Sequence, residues 1–437
     1  MFINIFRKKS LVILGNGFDL HLDVKSSFES FILDKYKSLT EDIDGLSDRF
    51  TQYILGNGSI CKFMNDQEDN DMFGNAFDDL NKKGNFWSLY LILYRDIFKY
   101  SLNNWSDVEE AMYEFFRDDE QSLLNQLIIA IETLIFNSVE FFRSDKQLFA
   151  SLTESFKLKD SNNLFISFLL AYSMKRNDNE INKHIFNFNV NKFNNYINPE
   201  DPVKDVDYHF SNNQIAYIKN EIIYYLKDEL SKFEKDFNSY LYSIIDFKKY
   251  NNESKKLLKK ISNNDKISII NFNYTHPNLK NSKIINYTNI HGNISENEDD
   301  QNIIIGIDGK YIKSSNNEYI FSKTARVAVN NRNIDDSKSL LLDKKINNIK
   351  VYGHSFSKSD YSYYKSIFSF YNIESLKMKI TIFYSKYGNK DSSEACMEKI
   401  VQFSKLLNSY CEDKENLSGD YLLKQLTISG KINFKEI

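Results

Sequence analysis

The chain has 437 residues but only three prolines and 14 glycines, so turn-making residues are scarce. That scarcity argues against a sandwich of many tight hairpins and favours long helices joined to a few buried strands. Cysteine is equally rare. Cys61, Cys396 and Cys411 are odd in number and lack metal-ligand spacing, which excludes a disulfide framework and a paired-cysteine zinc site. A reduced, cytoplasmic setting is the expectation. Long apolar runs are missing too: residues 127–136 and 164–174 are too short to cross a bilayer, and they carry or adjoin polar groups such as Glu132. The opening residues 1–9 place apolar side chains before basic ones, the reverse of a secretory leader. No membrane partner is expected. Nor does charge of one sign dominate. A net charge of -4 gives no global reason to expect nucleic acid and leaves only a local basic patch open.

What is present is apolar and aromatic. At 42% hydrophobic and 15% aromatic, the chain can fill one large core with an insertion or two or three smaller ones. Near the start, Leu11-Val12-Ile13-Leu14 reads as a short buried strand running into Gly15-Asn16-Gly17-Phe18-Asp19. A capping-box pattern follows at Ser26-Ser27-Phe28-Glu29, with Ser26 and Glu29 as the pair. A strand, a glycine turn and a helix make a candidate nucleotide cradle, because glycines let backbone approach a phosphate or ribose. The motif is half of the dinucleotide fingerprint, and a bare tight turn explains it equally well.

Residues 56–85 read as an irregular loop or an active-site lid. From residue 86 to about 258 the apolar spacing is helical, notably over 111–116, 123–142 and 215–233, with one break at Asn198-Pro199-Glu200-Asp201-Pro202. Strand-like runs then resume at 266–272, 284–290, 302–307, 349–352 and 379–384, with helices expected over 357–371 and 392–407. Exposed loops are expected at 314–317 and 330–337. The implied architecture is an α/β core, residues 1–40 and 261–437, split by a mainly helical insertion or cap over 41–260.

Chemistry-bearing residues gather at the expected strand exits. Asn271-Phe272-Asn273-Tyr274-Thr275-His276-Pro277 closes the 266 strand, His291-Gly292 follows the 284 strand, and Gly353-His354-Ser355 through Asp360 follows the 349 strand. In a parallel sheet those ends share one rim with the Gly15 turn, where ligands bind. Each has a plainer explanation. Asn273 could bond its own turn, His291 could be a satisfied loop histidine, and Asp360 could cap its helix. His354 and Ser355, being adjacent, point apart and disfavour a triad. In the helical part, Ser106 can cap a helix through Glu109 with Trp105 as an apolar staple. Alternatively, Asp107 and Glu109 there bind ribose hydroxyls or support a catalytic group. His21, His184, His209 and His276 lack the paired spacing of a metal helix, so no metal is expected, and Asp207-Tyr208-His209-Phe210 stands unexplained.

Taken together, Gly15-Asn16-Gly17-Phe18-Asp19, Asn104-Trp105-Ser106-Asp107-Val108-Glu109, Phe272-Asn273-Tyr274-Thr275, His291-Gly292 and Gly353-His354-Ser355 with Asp360 resemble the AbiH family of bacteriophage abortive-infection proteins, in the family's order. They are also distantly similar to sirtuin-like domains of defence proteins, which bind NAD. Here Asp19 stands where those domains usually have Ser, Thr275 where Asp usually follows the Asn-Tyr pair, and no zinc ribbon is present. The resemblance implies a mainly parallel sirtuin/Rossmann-like α/β sheet with a large helical insertion, and a phage-defence effector. It implies catalytic roles for Asn273 and His291, and nucleotide binding by Gly15, Asn16, Gly17, Asp19, Tyr274, Gly353, Ser355 and Asp360. Asp107 and Glu109 are supporting acids. NAD is the implied substrate or ligand, cleaved at its glycosidic bond. A non-catalytic sensor of a nucleotide or phage product, and a metal-dependent nuclease or phosphoesterase using Asp107, Glu109 and His354, are the alternatives. A nucleotide ligand, a phage-derived trigger and a homo-oligomer are the partners compatible with this reading.

Overall fold

The computed structural model describes residues 8–35, 84–98, 102, 105–117, 122–129, 212–279, 283–297, 300–330, 342–386, 390–415 and 417–437. Several expectations lie outside the described residues: those for 1–7, Cys61, the loop over 56–83, Asn104, most of the run at 127–136, the run at 164–174, His184, the break at 198–202, the 207–210 motif and the loop beyond Asn330. The chain divides into two compact units, residues 1–31 with 234–310 and 322–437, and residues 32–233 with 311–321. The sequence pattern puts these edges at 40/41 and 260/261.

The first unit is built on six strands, β1 (Lys9–Leu14), β2 (Lys266–Asn271), β3 (Ile284–Asn289), β4 (Asn348–Tyr352), β5 (Lys379–Tyr384) and β6 (Ile432–Glu436). All pairings are parallel, in the order β3-β2-β1-β4-β5-β6. This is the doubly wound order of Rossmann-like folds, whose direction of winding reverses between the strands flanking β1. Mainly apolar runs, broken by the buried Ser268 in β2 and Lys350 in β4, explain the central position of β1, β2 and β4. Ser10 to Leu14 and Ile349 to Tyr352 are buried on both faces, as parallel strands covered by helices must be. The expected strand at 302–307 is not one. Ile303, Ile304, Ile305 and Ile307 are buried, but only Ile307 makes a bridge, to Ser322. The reason is a substitute for the ladder: the Ile305 N–H donates to Glu234 Oε1 at 2.8 Å, and its carbonyl accepts from Arg326 Nη1 at 2.7 Å. Side-chain partners at Ile303 and Ile305, with backbone bonds from Ile304 N to the His291 carbonyl and from Lys323 N to the Ile307 carbonyl, satisfy this segment without a sheet ladder.

Helices α1 (Gly17–His21) and α2 (Phe28–Lys35) follow β1. The cap of α2 is one residue later than expected. Ser27 Oγ accepts from Ser30 N at 3.2 Å, while Ser26 turns inward and donates to Asn16 Oδ1 at 2.6 Å. In the second unit, α3 (Phe86–Phe98) and α4 (Trp105–Phe116) pack aromatic faces, with Trp87, Tyr90, Phe115, Phe116 and Phe321 in mutual ring contact. Asn85 Oδ1 caps α3 through Ser88 N, and Glu229 Oε2 accepts from Phe86 N at 2.6 Å. Helix α4 already begins at Trp105, so Ser106 lies inside the first turn and bonds Asp107 rather than capping through Glu109.

The remaining helices are α5 (Asn212–Ile244), α6 (Phe247–Ser262), α7 (Lys323–Asn330), α8 (Tyr361–Tyr371), α9 (Ser392–Cys411) and α10 (Gly419–Ile428). The last 11 residues of α5 belong to the first unit. Helix α6 leads directly into β2 and packs on β1 and β4. Asp391 and Glu394 form a capping box on α9. Helix α10 and β6 are not legible in the sequence pattern. Strand β6 is short, edge-placed and charged at its end, with Ile432 its one fully buried residue, so it lacks the apolar run that marks the inner strands.

A candidate site at the carboxyl ends of the strands

The glycine turn after β1 is locked against the loop after β4. Gly15 N donates to the Tyr352 carbonyl at 3.0 Å, Gly17 N to the Gly353 carbonyl at 2.7 Å, and Phe18 N back to the Gly15 carbonyl at 2.8 Å. A Cβ on Gly15 would sit 2.5 Å from His354 Cα, and one on Gly353, whose φ is +72°, would sit 2.4 Å from Phe18 N. The glycines thus permit two backbones to touch at the switch point of the sheet. Three of the turn's N–H groups are consumed in doing so.

Asn273, buried at the exit of β2, donates its Nδ2 to the Gly15 carbonyl at 3.0 Å. Its own backbone is held by Asn271 Oδ1 and by Asn289 Nδ2. Asp19, on α1, is wholly buried and accepts from Thr275 Oγ1 at 2.8 Å on both carboxylate oxygens and from Tyr250 Oη at 3.0 Å. Burial pushes the Asp19 carboxyl up to about 7, and the Thr275 and Tyr250 hydrogen bonds only partly oppose it. Thr275, standing where the sirtuin-like pattern has an acid, is therefore the group that ties the β2 exit to α1.

Beside this lies a second polar cluster. Asp360 precedes α8 but makes no capping bond. It accepts instead from Lys323 Nζ at 3.0 Å and Ser357 Oγ at 3.3 Å, with His354 Nε2 at 3.4 Å and His291 Nε2 at 3.8 Å. Burial alone would raise the Asp360 carboxyl, but the Lys323 ammonium, the His354 hydrogen bond and the nearby imidazoles hold it well below the usual carboxylate range. His354 Nδ1 accepts from Phe356 N at 2.9 Å, so its Nε2 carries the proton that faces Asp360. Lys399 Nζ, on α9, donates to the His354 carbonyl at 2.9 Å and holds the loop from behind. Burial lowers that ammonium to about 8.

His291 differs from its neighbours. Burial, together with the Lys323 charge, pushes its imidazole down to about 3, and its ring bonds the Phe272 backbone. Nε2 is buried and has no hydrogen-bond partner. The 3.8 Å to Asp360 is too long for one. Phe272 stacks edge-on against both histidine rings, at 5.4 Å from His291 and 4.7 Å from His354. Gly292 makes the bend behind His291: its φ is +79°, and a Cβ there would lie 1.8 Å from the Asn302 carbonyl oxygen.

The Gly15 turn, Asn273, His291, Gly353 and Asp360 thus form one contiguous rim. Ser355 is exposed while His354 is buried, so the adjacent pair does point apart. Tyr274 is buried against Phe237, with its hydroxyl directed to the Ile304 carbonyl. Asp107 and Glu109 lie on α4 in the second unit, where Glu109 is buried. Sequence reading missed Lys323 and Tyr250. Neither carries a local signal, since Lys323 follows an irregular segment and Tyr250 looks like an ordinary helical core residue. Among the described residues no group of three or more metal-ligating side chains gathers, and no helix is long and apolar enough to cross a membrane.

Fold and rim together define a doubly wound α/β protein with a buried acid, lysine and histidine centre at the carboxyl ends of its strands. Residues 11–384 match the family model described as "Bacteriophage abortive infection AbiH", and the chain belongs to that family of phage abortive-infection proteins. Neither the curated proteins nor the solved structures compared with it contain a match. Helices α9 and α10 and strand β6 lie after the matched residues.

Proposed function

We propose that this abortive-infection protein binds a nucleotide at the rim and that the nucleotide is NAD, hydrolysed at its nicotinamide–ribose bond. One observation carries the reading: His291 Nε2, an acceptor buried without a partner, stands at the strand ends where doubly wound sheets take nucleotides. An imidazole held near 3 is uncharged at neutral pH, and with its other ring nitrogen bonded to the Phe272 backbone its Nε2 is a hydrogen-bond acceptor and not a general acid. Its role is to receive a ribose hydroxyl or the attacking water while the oxocarbenium-like centre develops. Asp360, fixed by Lys323 and His354, supplies negative charge close by. Asn273 contributes by fixing the Gly15 turn. Asn16 and the exposed Ser355 are the groups offered to the rest of the dinucleotide, because the N–H groups of Gly15, Gly17 and Phe18 are already donated to backbone carbonyls.

A second reading is favoured by those same engaged N–H groups: a nucleotide sensor that binds without turnover. One experiment separates them. Purified protein is titrated with NAD by calorimetry and then incubated with it while nicotinamide release is followed, beside His291→Ala. Release by wild type, lowered on the order of a hundredfold in the variant, supports hydrolysis. Binding abolished by His291→Ala without release supports the sensor. If NAD neither binds nor is cleaved, in the presence or absence of phage lysate, the NAD assignment fails.

A further inference from the structure

Helix α6, the segment leading into β2, concentrates lysine on its exposed face. Residues 246–266 hold seven lysines against three acidic residues, a local excess of four positive charges in a chain whose net charge is -4. The charge is segregated. With about 100° of turn per residue, Lys248, Lys255 and Lys259 fall within roughly 40° of one another, and Lys249, Lys256 and Lys260 form a second row about 100° further round. All six are exposed. Tyr250, Ser254, Leu257, Leu258 and Ile261 occupy the opposite face and are buried. Lys249 pairs with Asp23 and Lys256 with Glu253, both in solvent, where such pairs add little. Lys248, Lys255, Lys259 and Lys260 make no side-chain hydrogen bond or ion pair among the described residues.

We infer that the lysine face of α6 is a docking surface for a polynucleotide backbone. From Lys248 to Lys260 the ridge is about 18 Å long, comparable with about five base-pair steps of a duplex, each about 3.4 Å. Two parallel rows of ammonium groups suit a line of phosphodiesters, and they bring no side chain fitted to read base edges, so the contact is sequence-tolerant. A membrane surface is the competing polyanion. Membrane-surface helices insert an apolar face, whereas the apolar face of α6 is committed to β1 and β4. Only the charged face is offered. The rim chemistry proposed above plays no part in this inference.

The test uses the full chain and fluorescein-labelled 20-base-pair DNA and RNA duplexes, followed by anisotropy between 50 and 200 mM NaCl, with phosphatidylserine vesicles as a parallel arm. Counterion release from four unpaired lysines gives a slope of log affinity against log salt near about -4 for DNA. The variant carrying Lys248→Gln, Lys255→Gln, Lys259→Gln and Lys260→Gln should bind at least tenfold more weakly at 100 mM salt, with its slope moved towards zero. Circular dichroism checks that it folds. Should it not, the two double variants, Lys248→Gln with Lys255→Gln and Lys259→Gln with Lys260→Gln, take its place, each expected to reduce the slope by about two. Lysine-dependent binding of either duplex supports the proposal. Absence of duplex binding, binding indifferent to these substitutions, or lysine-dependent binding to vesicles alone overturns it.

Discussion

Replacing Asp19 by asparagine isolates the energetic cost of a buried carboxyl beneath the glycine turn. Asp19 is raised from 3.8 to about 7, chiefly by burial. The folded protein therefore holds a proton that the unfolded chain releases, so stability is full below 3.8 and is lost as pH rises through about 7. Linkage puts the loss at about 3 kcal/mol between pH 4.5 and 7.5. The carboxamide of the Asp19→Asn variant cannot titrate, yet it can still meet the Thr275 and Tyr250 hydroxyls. His291 has the opposite sign. Its imidazole is lowered from 6.5 to about 3, so stability is lost as pH falls through that window. The two slopes overlap and oppose each other between about pH 4 and 6.5. Wild type should be nearly flat there with respect to this pair, and Asp19→Asn should expose the acid sensitivity of His291. Both tryptophans, Trp87 and Trp105, lie in the second unit, so their fluorescence does not follow this one. Hydrogen exchange of β1 and β2 amides, read by mass spectrometry at pH values from 4.5 to 7.5 and corrected for intrinsic rates, does. Relative to wild type, Asp19→Asn should gain about 3 kcal/mol of protection across that range. A difference that does not change with pH would refute the reasoning.

Other perturbations are equally direct. Gly292→Ala drives a Cβ into the Asn302 carbonyl at a positive φ, and a loss of about 3 kcal/mol or more in chemical denaturation is expected. Near-wild-type stability would mean the His291 bend is not rigid. Glu234→Leu leaves Arg326 buried without its bidentate partner and the Ile305 N–H without an acceptor, at a cost of about 3–5 kcal/mol. Adding Arg326→Met should recover only part of this, because the Ile305 backbone groups stay orphaned; full recovery in a double-mutant cycle would show that the ion pair alone mattered. Asp360→Asn removes the charge that neutralises the buried Lys323 ammonium and leaves one acceptor oxygen for two donors, Lys323 Nζ and the His354 N–H, and thermal melting should fall by several degrees, equivalent to about 3 kcal/mol. An unchanged melt would place Lys323 elsewhere in solution.

The strands that carry the site could be read from the chain itself because their burial is written in local composition. Leu11 to Leu14 is wholly apolar, and Ile267 to Ile270 and Ile349 to Tyr352 are apolar but for the buried Ser268 and the paired Lys350, as two-sided burial demands. The motifs at their ends were visible for the same reason, since residue order places each just past a strand. Pattern alone did not separate the segment at 302–307 from a strand. Its isoleucines report burial, but whether a backbone finds a ladder or, as here, Glu234 and Arg326, depends on groups more than twenty residues away in either direction. Tertiary structure alone also decided that Asn273 reaches the Gly15 carbonyl across 258 positions of sequence, that Thr275 and Tyr250 enclose Asp19, and that Lys323 meets Asp360. Local sequence encodes periodicity and turn chemistry, which act over a few residues. The charge state of Asp19, His291 and Asp360 is set by desolvation and by partners that only the closed fold brings within 4 Å.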